Sequence, residues 1–192
     1  MMQCLKDWDI KFLLEINKHH TSLLDSVMWF ASETFSWIPF YALLLMLIIY
    51  KYKKQSWWVI ILIIPLIFLS DQIASGILKP IVHRLRPSHQ PGLRDLLHYV
   101  NNYHGGTYGF VSSHACNVFA FATYLTIVTE QKIKWLPYLL FLWAMLVAYS
   151  RIYLGVHYPS DVAVPAVLGI GLGSLFGWIF HRFKQKIFTN NL

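Results

Sequence analysis

The chain has 192 residues, of which 56% are hydrophobic, 17% aromatic and only 13% charged, with a formal net charge of +7. Soluble domains carry roughly 25% charged residues, so the composition excludes an ordinary soluble protein and indicates a single domain living in lipid. The positive charge sits in connections between apolar runs rather than on one basic face, which excludes nucleic acid as the partner.

Residues 1–20 do not read as a signal peptide, because Asp7, Asp9, Lys11 and Glu15 interrupt any apolar stretch. Leu5, Trp8, Phe12, Leu13 and Ile16 recur at helical spacing instead. That pattern predicts an amphipathic helix lying in the membrane interface.

A span needs roughly 20 mostly apolar residues, and about five stretches qualify: 23–50, 56–78, 113–130, 135–151 and 160–181. The predicted fold is all-α, a polytopic membrane helix bundle of about five transmembrane helices plus the N-terminal interfacial helix. Glu33 reads as an interfacial position or a helix break. Gly169, Gly173 and Gly177 recur every four residues in the fifth span, as close helix packing requires. Cys4 and Cys116 have neither disulfide context nor metal-ligand spacing.

Lys51, Lys53 and Lys54 lie between spans one and two, Lys132 and Lys134 between three and four, and Arg182, Lys184 and Lys186 after five. With five spans these sites share one side, which the positive-inside rule makes cytoplasmic. The other two connections then face the periplasm or exterior. The first, 80–111, holds Pro80, Pro87, Pro91, Gly92, Gly105, Gly106 and Gly109. It cannot be one helix and is long enough to be functional; 93–99 is expected to form a short interfacial helix.

Three clusters border these outer connections. Lys79 and Arg86-Pro87 come first, Ser112-Ser113-His114 second, and Ser150-Arg151 with His157 and Asp161 third. A phosphate near a membrane surface requires fixed cations and directed donors, which arginine and lysine supply. Each cation alone is explained by snorkelling to headgroups. Ser112 alone is explained as an N-cap, although a helix N-terminus also binds anions. A histidine at His114 can donate and accept protons near neutral pH. Asp161, four residues after His157, is either an ordinary cap or the partner that orients a nucleophilic imidazole. Asp71, Ser75 and Lys79 are spaced four apart, so Asp71 is expected to support the site from the same helix face. His83, His89, His98 and His104 lack ligand spacing, and no metal or cofactor is expected.

Lys79-x6-Arg86-Pro, x-Ser112-x-His114 and Ser150-Arg151-x5-His157-x3-Asp161 together resemble the three-part signature of the type 2 phosphatidic acid phosphatase superfamily, over about residues 71–162. The resemblance implies a phosphatase acting on a membrane lipid phosphate or diphosphate at the outer face of the inner membrane. Undecaprenyl diphosphate or lipid A phosphate is favoured over phosphatidylglycerol phosphate or phosphatidic acid. It further implies that His157 becomes a phosphohistidine, Asp161 orients it, and His114 serves the leaving oxygen and then water. Lys79, Arg86, Ser112, Ser113 and Arg151 would hold the phosphoryl oxygens. The family's usual Pro-Ser-Gly-His is Val111-Ser112-Ser113-His114 here, which predicts a helical Ser113. A non-catalytic lipid-phosphate binding or transport protein would share the cations but needs neither histidine. Haloperoxidase chemistry is disfavoured because that likeness is to soluble proteins. Nothing in the sequence specifies an oligomeric state.

Overall fold

The computed structural model describes residues 2–129 and 133–189. Lys132 lies outside them, and the side chains of Cys4, Leu5, Lys184 and Lys186 are likewise outside the described ones. The chain is an all-helical bundle, and among the described residues the sole β-type pairing is an isolated bridge between Leu85 and Tyr108.

Helix α1 (Met2–Lys18) forms over the expected segment, but its inward face is partly polar. Asp9, Leu13 and Asn17, one turn apart, are buried, whereas Trp8 and Phe12 are exposed and stack on each other. Asn17 explains part of this: its amide donates to the carbonyls of Tyr153 at 2.8 Å and His98 at 3.0 Å, and accepts the His98 N–H at 2.8 Å. The helix is thereby fastened to the protein.

The stretch 23–50 is not one span. Helix α2 (Ser22–Ser32), capped by the Thr21 hydroxyl, ends where Glu33 takes extended backbone. After a 3₁₀ turn, α3 (Ile38–Tyr52) begins with Pro39 in its first turn. Proline starts a helix readily but breaks one that tries to run through it, so the apolar run divides there.

The backbone turns at Lys53, at φ 49°, before α4 (Ser56–Ile61) and α5 (Ile63–Asp71). Leu44 and Ile48 of α3 line the same cavity as Ile60 and Ile63, so the chain doubles back. A π-helical stretch (Gln72–Leu78) follows, then α6 (Lys79–Val82). The π segment breaks the expected register of Asp71, Ser75 and Lys79, because i→i+5 bonding puts more than four residues in each turn.

Helices α7 (Ser113–Val128), α8 (Leu136–Tyr153) and α9 (Pro159–Thr189) complete the bundle. The most extensive pairing is α7 on α9. Gly173 explains the close approach: a Cβ there would lie 2.8 Å from Thr123 Cβ and 3.0 Å from the Tyr124 nitrogen. Gly169 and Gly177 meet α7 in the same way. The core between α4, α5, α7 and α8 buries Val59, Leu66, Tyr124, Leu125 and Leu140 completely. Leu43, Ile64, Phe68, Leu142 and Val167 instead point outward from α3, α5, α8 and α9. An apolar exterior of this extent fits lipid, and the stretches Phe35–Val82, Leu136–Tyr153 and Pro159–Phe183 are long and apolar enough to cross a membrane. The molecule is a membrane protein.

Between α6 and α7, the segment expected to carry an interfacial helix at 93–99 contains only a 3₁₀ turn, Arg94–Leu96. Leu93 and Leu97 are buried against Leu13 and Ile152 and pull the backbone onto the bundle.

Candidate active site

His157 lies at the base of a short turn joining α8 to α9. Gly155, at φ +70°, lets the chain reverse beneath Leu97 and Asn17. The turn leaves His157 only 1% exposed. Asp161 follows in the first turn of α9, completely buried. Its Oδ2 accepts the Tyr158 backbone N–H at 3.2 Å and stands 3.7 Å from His157 Nδ1. That separation is longer than a hydrogen bond.

The first cluster reaches this point through a folded loop. Helix α6 stops at His83, which takes left-handed backbone. The Arg86 N–H donates to Thr107 at 3.0 Å and the Gly109 N–H to Arg84 at 2.8 Å, pinning the outgoing strand of the loop to the returning one. Arg86 is 8% exposed; its Nε donates to the Tyr108 carbonyl at 3.1 Å. Gly109 is required here, since a Cβ would come within 2.8 Å of Asp161 Oδ2 and 3.2 Å of Arg86 Cγ.

The second cluster is a helix start. Ser112 is extended and fully buried, and its hydroxyl accepts the Ala115 N–H. Its own N–H donates to the Asp161 carbonyl at 2.8 Å, which ties the N-terminus of α7 to that of α9. Ser113 is the first residue of α7, as expected from the Gly-to-Ser departure, and its neighbour His114 lines the adjoining cavity.

Arg151, near the end of α8, is 3% exposed. It donates to the Ser32 hydroxyl and, at 3.1 Å, to the Tyr103 hydroxyl. The Ser150 hydroxyl is occupied elsewhere, donating to the Val147 carbonyl.

The three clusters converge electrostatically on His157. Burial pushes its pKa well below the ordinary histidine value, and Arg86, Arg151, Lys79 and His114 push it further in the same direction. The imidazole is therefore neutral. Arg86 Nη1, Arg151 Nε and His157 Nδ1 are buried with no hydrogen-bond partner among the described residues. Buried donors of this kind are costly unless satisfied. Both arginines act electrostatically on the His157 ring. Asp71 lines the adjoining cavity with Ser113, His114 and Asn117, and its charge acts on Lys79.

Four contributors were missed by sequence reasoning. Arg84 binds Asp161, Asp9 binds Arg84, and Tyr103 and Ser32 bind Arg151. Arg84 sits two residues before Arg86 in the 80–111 connection, and no local pattern there pairs it with Asp9 or Asp161. Asp9 had a legible signal, since with Leu13 and Asn17 it makes a stripe along one face of α1.

A cation-ringed, buried histidine where several membrane helices end defines a membrane phosphatase. The signature of the PAP2 superfamily matches residues 60–187, and the chain belongs to that superfamily. It is 34% identical over 189 residues to the lipid A 4'-phosphatase of Bacteroides thetaiotaomicron, covering 97% of this chain and 81% of that one. The lipid A 4'-phosphatase of Porphyromonas gingivalis is 29% identical over 94% of this chain and 75% of its own. The crystal structure of Aquifex aeolicus LpxE superposes with a TM-score of 0.66 at 28% identity, over 86% of this chain and 92% of that one.

Proposed function

We propose that this enzyme removes a phosphate from a lipid A-type phosphorylated lipid at the outer face of the inner membrane. The observation that carries the reading is the set of unpartnered donors of Arg86 and Arg151 around a neutral, buried His157.

The nitrogen of His157 turned away from Asp161, Nε2, attacks phosphorus. A nitrogen–phosphorus bond forms as the bond to the lipid oxygen breaks, and His114 gives that oxygen its proton. Lys79, Arg86, Arg151, Ser112 and the Ser113 N–H hold the three remaining oxygens while charge spreads over them. His114, now neutral, takes a proton from water, whose oxygen displaces His157 and releases inorganic phosphate. These cations supply the charge neutralisation that magnesium provides in other phosphoryl transfers.

Two features support a lipid substrate at the outer face. A cavity of about 630 Å³ runs from Ser113 and His114 between α3, α5, α7 and α8, walled by Leu44, Ile48, Ile63 and Phe121. It offers an alkyl chain a place beside the leaving oxygen. Lys51, Lys53 and Lys54 lie at the α3–α4 turn, the end of the bundle opposite the site, which favours a cytoplasmic location for that end. The exposed Trp8 and Phe12 suit a place for α1 in the interface beside the entrance, with the 80–111 segment forming the outer cover.

The test is phosphate release by purified protein in detergent and EDTA from a panel of lipid A, undecaprenyl diphosphate, phosphatidylglycerol phosphate and phosphatidic acid. The expected result is fastest release from lipid A, abolished in His157→Ala. Strict dependence on magnesium, or full activity of the variant, would overturn the mechanism.

A further inference from the structure

Among the described residues, Arg84 is the one cation near the site whose two terminal nitrogens both donate to carboxylates. Nη1 donates to Asp161 Oδ1 at 2.8 Å and to the Ser160 hydroxyl at 2.7 Å, and Nη2 donates to Asp9 Oδ2 at 2.8 Å. Its guanidinium carbon lies 4.0 Å from the Tyr158 ring centroid. It therefore has no free fork with which to hold a phosphate.

Asp9 closes the arrangement from the other end of the chain. Its Oδ1 accepts the Ser160 backbone N–H at 2.9 Å, and its Oδ2 also accepts the Ser160 hydroxyl. The proline before Ser160 has no N–H, so Asp9 satisfies the first available donor of α9 and sets a negative charge at its positive end. The cap is supplied by a different helix, one that precedes the 60–187 region carrying the superfamily signature. Asp9 is 9% exposed and Asp161 is not exposed at all, so solvent screens this chain of charges little.

We infer that α1 is a working part of the active site, with Asp9 and Arg84 as positioning residues that fix the start of α9 and aim the Asp161 carboxylate at His157. Arg86 Nη1 and Arg151 Nε then remain open to the substrate, while Arg84 balances Asp161. This inference rests on the phosphatase reading above.

Misplacing a reacting group by about 1 Å can cost on the order of a hundredfold in rate, which sets the scale of the test. Full-length wild type, Asp9→Asn, Asp9→Glu and Arg84→Gln are assayed on dioleoyl phosphatidic acid in detergent micelles. Binding of orthovanadate, which mimics five-coordinate phosphorus, and of inorganic phosphate is measured on the same samples. Asp9→Asn and Arg84→Gln are expected to lose at least about tenfold in kcat at nearly unchanged KM. Orthovanadate binding should weaken in parallel while phosphate binding holds, and Asp9→Glu should recover much of the loss. Wild-type kcat and orthovanadate affinity in Asp9→Asn would overturn the positioning role. So would a lower Tm in that variant with normal kcat per folded molecule, since that marks a merely structural cap. If Asp9→Asn is too unstable to assay, Asp9→Glu decides: failure of this folded, charge-preserving variant to exceed Arg84→Gln in kcat counts against the positioning role. A wild type that turns over no lipid phosphate and binds neither anion rejects the phosphatase reading itself.

Discussion

His157 Nδ1 and Asp161 Oδ2 stand 3.7 Å apart across Pro159, close enough to attract yet not bonded. Oδ2 already accepts the Tyr158 N–H, and Oδ1 is held by Arg84. In the free enzyme the imidazole is neutral, so Asp161 gains little from approaching it. In the mechanism proposed above, attack of His157 on phosphorus makes the ring cationic, and the pull of the carboxylate rises. In that mechanism Asp161 would stabilise the transition state more than the ground state, the condition for raising kcat.

Asp161→Asn keeps the size of the side chain and removes its charge. It should lower kcat by about 10²–10⁴ while leaving the affinity for inorganic phosphate near that of wild type. Single-turnover phosphate release together with phosphate binding checks both halves; equal loss in the two would assign Asp161 to binding.

His114 should reveal its role through the leaving group. A lipid alkoxide leaves poorly without a proton, whereas p-nitrophenolate leaves well. His114→Ala should therefore lose roughly 10²–10⁴ in rate on phosphatidic acid, and much less on p-nitrophenyl phosphate in the formation of the phosphoenzyme. Rapid-quench measurement of the first turnover on both substrates makes the comparison; equal losses would remove His114 from the acid role.

How far these features were legible from the sequence depends on how local their causes are. The three clusters were legible because cations, histidines and a carboxylate at fixed spacings keep their chemistry wherever the chain goes. The Gly169, Gly173 and Gly177 stripe was legible because helix packing follows a fixed period. The division at Glu33 was half legible, since Pro39 marks it but the apolar composition continues across. The π segment between Asp71 and Lys79 was not, because its register is set by packing rather than by any residue in Gln72–Leu78. Asp9 with Arg84 was the hardest case: it joins positions 75 residues apart, and only the fold brings them together.

The buried neutrality of His157 has a consequence for stability. Its pKa is lowered on folding by burial and by Arg86, Arg151, Lys79 and His114. Below the unfolded value of about 6.5 the unfolded chain takes up a proton that the folded chain refuses. The stabilisation is therefore complete above pH 6.5 and is lost as the pH falls toward the folded value, by about 1.4 kcal/mol per pH unit. Thermal unfolding of wild type and His157→Asn in detergent from pH 8 to about 5 isolates the effect. The Tm difference should move against wild type on acidification, and a difference independent of pH would show that His157 is protonated in the folded state.

The cavity beside His114 provides a test of which part of a substrate it receives. Leu45 lines it and is also 42% exposed on the outer surface of α3, so a larger side chain there can enter the cavity without displacing the core. Leu45→Trp would exclude part of an alkyl chain. Each methylene kept out of the apolar space costs about 0.8 kcal/mol, so losing two raises KM by roughly tenfold. Dioleoyl phosphatidic acid should show that increase, and a water-soluble short-chain phosphate should show none, because it has no long alkyl chain to place in the cavity. The expected signature is a ratio of kcat/KM between the two substrates that falls in the variant. An equal effect on both would place the alkyl chain outside this cavity, against the lipid-facing surface of the bundle.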